Sequence, residues 1–139
     1  MNAKEYLSGA NLLEEQINSK LEFKERLQSI AEKTTTSLHT TVVPGSGSNS
    51  KLEDIVIKIS SLEDEIAADI SKHLDLLAEI KDTISKVDDP EERLILEYRY
   101  LDNMTWEEMM YYLKTYHTTI YRKHRNALEK VEKILENGT

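Results

Sequence analysis

Apolar residues in the first 33 positions recur mostly every three, four or seven residues: Tyr6, Ala10, Leu13, Ile17, Leu21, Leu27, then Ile30 or Ala31. That period gathers them on one side of a helix, so a helix is expected over about 3–33. Lys20 and Lys24 interrupt the stripe. A stronger period runs over 51–87. Leu52, Ile59, Ile66, His73, Ile80 and Val87 stand seven apart, with Ile55 and Leu62 between them. Asp69 breaks the second series, which Ile70, Leu77 and Ile84 carry on one position over. A shift of this kind keeps an apolar seam turned toward a partner despite 3.6 residues per turn. Residues 34–50 interrupt both patterns with Thr, Ser, Pro44, Gly45 and Gly47, which predicts a flexible linker. Two long helices joined this way fold back as an antiparallel hairpin. Either the C-terminal domain or a second copy should cover its remaining apolar surface, and the stripe from Leu52 to Val87 is expected to hold two or more chains together.

Residue 88 marks the expected end of the hairpin domain, with a second domain over 89–139. Asp89 is placed to cap a helix with Pro90 at its first position, and Glu91 and Glu92 favour the positive end of its dipole. The helix from 90 puts Leu94, Ile95, Tyr98 and Leu101 on one face, and Asp102-Asn103 makes a turn. Thr105 with Glu108 forms a capping box for a short helix bearing Trp106, Met109, Met110 and Leu113. After 114–117 a last helix runs to about Glu136 and buries Ile120, Ala127, Leu128, Val131 and Leu135. Asn137-Gly138-Thr139 is a helix stop. The fold class expected is therefore all-α: a long antiparallel helical hairpin followed by three helices.

Composition changes this picture in one respect. The chain of 139 residues has a net charge of −8 and no cysteine, which excludes a disulfide framework and fits a reducing compartment. No apolar run approaches a membrane span, so a cytoplasmic protein is expected. The acidity is uneven, however. Residues 88–108 hold eight acids against Arg93 and Arg99, whereas 114–126 hold Lys114, Arg122, Lys123 and Arg125 without an acid. Screening over about 8–10 Å lets a local basic face act independently of the net charge.

The short capped helix, the turn and the helix rich in Thr and Arg have the outline of a helix-turn-helix. A recognition helix needs short hydrogen-bonding side chains for base edges and Arg for guanine or phosphate. His117, Thr118, Thr119, Arg122, Lys123, Arg125 and Asn126 supply that inventory. Ile120 and Ala127 would anchor the opposite face.

Residues 92–131 resemble the region-4 domain of sigma factors, through the Arg-Tyr-rich helix before Thr105-Trp106-Glu107-Glu108-Met109 and through the Ala127-Leu128 that ends the recognition helix. The whole chain is similar to a Gram-positive prophage family of small proteins of unknown function, grouped with phage late-transcription regulators. The resemblance implies a sequence-specific double-stranded DNA-binding protein that regulates phage or prophage transcription in a bacterial host. RNA polymerase is a further partner expected, since acidic residues such as Glu107 and Glu108 can meet a basic polymerase surface. The apolar stripe of the hairpin is expected to build a homo-oligomer. Four positions depart from the sigma pattern: Met110 stands for Ala, Lys114 for the turn Gly, Tyr116 for a capping Ser and Lys123 for an apolar residue. A left-handed lysine costs about 1–2 kcal/mol unless the turn is re-formed, and Thr115 or Thr118 is available as an alternative cap.

Other chemistry finds no support. His39, His73, His117 and His124 lack metal-ligand spacing, and His73 reads as a polar residue setting the register of an apolar seam. The Gly-Ser stretch lacks the Gly-Lys-Ser/Thr ending of a phosphate loop, and no catalytic triad is visible. No enzyme, cofactor or metal is expected. The tyrosines around the motif read mostly as core or rim. Two alternatives stay open: a DNA-packaging recognition subunit like a small terminase, and a helical interaction protein that does not bind DNA.

Overall fold

The computed structural model describes residues 1–40 and 48–138. The chain is all-helical, with no strand among the described residues. Its helices are α1 (Ala3–Thr40), α2 (Ser48–Ser85), α3 (Pro90–Leu96), α4 (Trp106–Leu113) and α5 (His117–Asn137), and α3 continues into a π-helical turn, Glu97–Leu101. No helix is long and apolar enough to cross a membrane.

Both long helices exceed their expected ends. α1 runs on through 34–40, where a linker is expected, and there the hydroxyls of Thr34, Thr35 and Thr36 donate to the carbonyls of Ile30, Ala31 and Glu32 at 2.8, 2.9 and 3.0 Å. These bonds satisfy the hydroxyls along the helix itself. α2 likewise takes in 48–50. The rest of the expected linker, 41–47, lies outside the described residues.

The chain divides into two compact units. In the first, Met1–Glu14 and His73–Thr139, the start of α1 runs antiparallel to the end of α2. The Tyr6 hydroxyl reaches Glu79 Oε1 at 3.3 Å and Thr83 Oγ1 at 3.1 Å, and Gly9 lies against Leu76. Ala3, Leu7, Ala10, Ile80, Ile84 and Val87 share one core with Leu96, Tyr100, Ala127 and Val131. A second cluster, Ile95, Met109 and Ile120, closes α3 against α4 and α5, with Tyr98, Trp106, Met110 and Leu113 packed around it. α3 is therefore covered on two sides. The π turn, in which Asp102 N–H reaches back five residues to Glu97 O at 3.0 Å, replaces the regular helix expected there. The widened turn keeps Leu96, Tyr100 and Leu101 on the first core while Ile95 and Tyr98 face the second.

Two expected caps are present: Asp89 accepts from Glu91 N–H at 2.8 Å and Glu92 N–H at 3.4 Å, and Thr105 accepts from Glu108 N–H at 3.1 Å. Arg93 donates to Val87 O at 2.6 Å, so α3 also serves the open carbonyls past the end of α2.

In the second unit, Glu15–Lys72, α1 and α2 again run antiparallel. Ile17, Leu27, Leu62 and Ile66 are buried. The residues that interrupt the two stripes pair with each other: Lys20 Nζ meets Asp69 Oδ2 at 2.6 Å, and Lys24 meets Glu63 at 3.6 Å. The bond from Asp69 holds the Lys20 ammonium above its usual range. Past Asp69 both series are used: Ile80 and Val87 of the first and Ile84 of the shifted one are buried, with Leu77 packed against them, while Ile70 stays exposed. The stripe from Leu52 to Val87 is thus packed within the chain at Leu62, Ile66, Ile80, Ile84 and Val87, while Leu52, Ile55 and Ile59 stay half-buried.

Candidate nucleic-acid interface

α4 and α5 are joined by Lys114, Thr115 and Tyr116. Lys114 holds the left-handed conformation (φ 50°, ψ 46°), and its N–H returns to Met110 O, as does that of Thr115 at 3.3 Å. The left-handed position of this turn is thus held by a lysine. Tyr116 is the N-cap of α5 with no capping side chain, its carbonyl accepting from Thr119 and Ile120 N–H at 3.1 Å each. The alternative caps at Thr115 and Thr118 do not form.

Beneath this turn lies a chain of aromatic contacts. Arg99 donates to Met104 O at 2.9 Å and sits 4.6 Å above the Trp106 ring. Trp106 meets His124 edge-on at 4.9 Å and Tyr121 edge-on at 5.0 Å, and Tyr121 in turn meets His117 at 5.8 Å. His124 Nε2 bonds the Tyr100 hydroxyl at 2.7 Å, with the two rings stacked. Burial is the first cause that pushes His124 down to about 4, with the nearby Arg99 charge adding to it. Burial likewise raises the Tyr100 phenol. The imidazole is therefore neutral at physiological pH and belongs to the packing.

Counted round α5 from the buried Ile120, Ala127 and Val131, the exposed Thr118, Arg122 and Arg125 stand opposite the core. Glu129, also exposed, ends that row one turn beyond Arg125. His117 lies on the flank toward Trp106, and half-buried Thr119 with exposed Asn126 on the other. Among the described residues no carboxylate forms an ion pair with Arg122 or Arg125, whereas two lysines of the same helix are taken. Lys123 is ion-paired with Glu91, and Lys130 bonds Asp88 at 2.8 Å and Glu92 at 2.7 Å. These bonds raise the Lys130 ammonium and hold the Asp88 carboxyl below its usual range. The acidic start of α3 is thus spent on the lysine side of α5.

Of the seven residues expected from the sequence, Thr118, Arg122 and Arg125 form one outward row, His117, Thr119 and Asn126 flank it, and Lys123 is turned to α3. Residue type alone did not separate Lys123 from the arginines. The run of acids at 88–92 was the available signal, needing only the knowledge that α3 and α5 lie side by side. Tyr121 was absent from the expected set although its position, three residues past Thr118 and four before Arg125, places it beside the row. On α4 the exposed face is different in kind: Glu107, Glu108, Tyr111 and Tyr112, the two tyrosine rings edge-on at 5.5 Å.

These features define an all-helical protein in which the last helix presents a short basic and hydroxyl-bearing row. A family model, described as protein of unknown function (DUF1492), matches residues 33–132, and the chain belongs to that family. No curated protein and no solved structure is matched significantly.

Proposed function

We propose that the protein binds double-stranded DNA in a sequence-specific manner through α5, as a phage or prophage transcriptional regulator with a sigma region-4-like helix-turn-helix. The observation that carries this reading is the division of charge on α5. Lys123 and Lys130 are neutralised from within, and Arg122 and Arg125 are left facing outward beside Thr118. Guanidinium groups and a hydroxyl over the first turns of an exposed helix are what base edges and phosphates require. Thr119, His117 and Asn126 flank the contact, and Lys123 joins it by exchanging Glu91 for a phosphate. RNA polymerase is a further partner in this reading, and a second copy of the chain assembles through exposed apolar residues of α2.

Selection of duplexes from a random pool on the full-length protein tests this. Arg122→Ala should relax preference at one base pair, since an Arg spanning two guanine acceptors discriminates by about 1–3 kcal/mol. Lys133→Ala, exposed further along α5, should leave the preference unchanged. Enrichment of no sequence would refute the reading. The acidic and aromatic face of α4 favours the second reading, a helical interaction protein that does not bind DNA, and that outcome would select it.

A further inference from the structure

Tyr121 offers a kind of recognition that Arg, Thr and Asn do not. Its side is exposed to 43%, yet the ring is not loose, since Trp106 meets it edge-on at 5.0 Å and His117 at 5.8 Å. On α5 it neighbours Thr118 one turn before and Arg125 one turn after, on the edge of the outward row. No hydrogen bond orients its hydroxyl toward another part of the chain among the described residues. A rigid apolar ring edge set beside hydrogen-bonding groups, on a helix that enters the major groove, matches the one apolar feature of that groove, the C5-methyl group of thymine. Support from Trp106 means that the ring need not be ordered when DNA arrives, so the contact keeps most of its value.

We infer that Tyr121 is a specificity-determining residue that reads a thymine methyl group through its ring. This rests on the DNA-binding reading above. The alternative use of the same side chain, a hydroxyl bonded to phosphate, carries no sequence information and depends on the oxygen rather than the ring.

The probe is a duplex enriched from the random pool, re-synthesised with each thymine in turn replaced by uracil, which removes the methyl alone. Fluorescence anisotropy of the full-length protein should show weakening of about fourfold at one or two positions, the value of one buried methyl-sized group. Tyr121→Phe should keep that sensitivity, and Tyr121→Ala should bind the thymine and uracil duplexes alike while retaining the helicity of the wild type. A wild type indifferent to every replacement, or a Tyr121→Ala variant with the same sensitivity, would overturn the inference and leave DNA binding standing. A wild type indifferent to the replacement, with Tyr121→Phe binding the thymine and uracil duplexes equally more weakly, would assign the residue to phosphate instead. A pool that yields no enriched duplex would overturn both readings together.

Discussion

Lys114 sits at φ 50°, a conformation that costs a non-glycine residue about 1–2 kcal/mol, and among the described residues it gains no ion pair in return. Replacing it with glycine should stabilise the protein by about 1 kcal/mol, read as a higher urea midpoint with an unchanged slope; an unchanged midpoint would mean that the turn carries no strain. Asn103, at φ 57°, holds the other such position with a residue type that tolerates it better. His124 gives a pH test. Its folded value of about 4 lies below the ordinary 6.5, so the unfolded chain takes up the proton first as pH falls. Its contribution is complete above about 6.5 and is lost as pH drops toward 4. Allowing for partial solvent screening, that loss is about 1–2 kcal/mol. Denaturation at pH 7.5 and 4.5 should show the wild type losing that much more than His124→Gln, and equal losses would contradict the assignment. The caps at Asp89 and Thr105 were legible because a cap needs only neighbours within three residues. The Lys20–Asp69 bond was not: each residue read as a defect in its own stripe, and only the register of the hairpin shows that the two defects coincide.

At the scale of elements, helix type and order were readable throughout, whereas two boundaries and one helical form were not. The threonines at 34–36 disfavour a helix by propensity, yet α1 runs through them with their hydroxyls bonded to carbonyls of the preceding turn. The π turn at Glu97–Leu101 answers two cores at once, a demand that no local pattern records. The repeat from Leu52 to Val87 was legible as a seam but silent on which helix fills it. α1 does, joined toward Val87 by α3 and α5. Ile66→Asp places a charge at a position only 6% exposed and should unfold the hairpin, with a loss of several kcal/mol and of helicity. Ile57, exposed to 66% beside Val56, should behave differently. Ile57→Asp should preserve helicity and shift sedimentation toward the monomer if self-association uses this exposed patch. A wild type that is already monomeric at tens of micromolar would remove the patch from the account.

For the whole molecule, net charge points away from DNA and local charge points toward it. The acids at Asp88, Glu91 and Glu92 hold Lys123 and Lys130, so the basic surface is narrower than the run of Lys and Arg in 114–126 suggests. What remains is a short row on the first three turns of α5, bounded by Glu129. That placement was partly legible: Thr118, Arg122 and Arg125 fall on it from spacing alone, while the withdrawal of Lys123 needed the third dimension. The measurement that tests the central claim most directly is the affinity for a duplex, by fluorescence anisotropy, as salt is raised from about 50 mM. Each neutralised phosphate lowers the logarithm of the binding constant by about 0.9 per decade of salt. The account predicts a steep fall for the wild type, and for Arg125→Ala weaker binding with a slope shallower by about 1. No duplex binding at the lowest salt, or binding that is indifferent to salt and to Arg125, would contradict it.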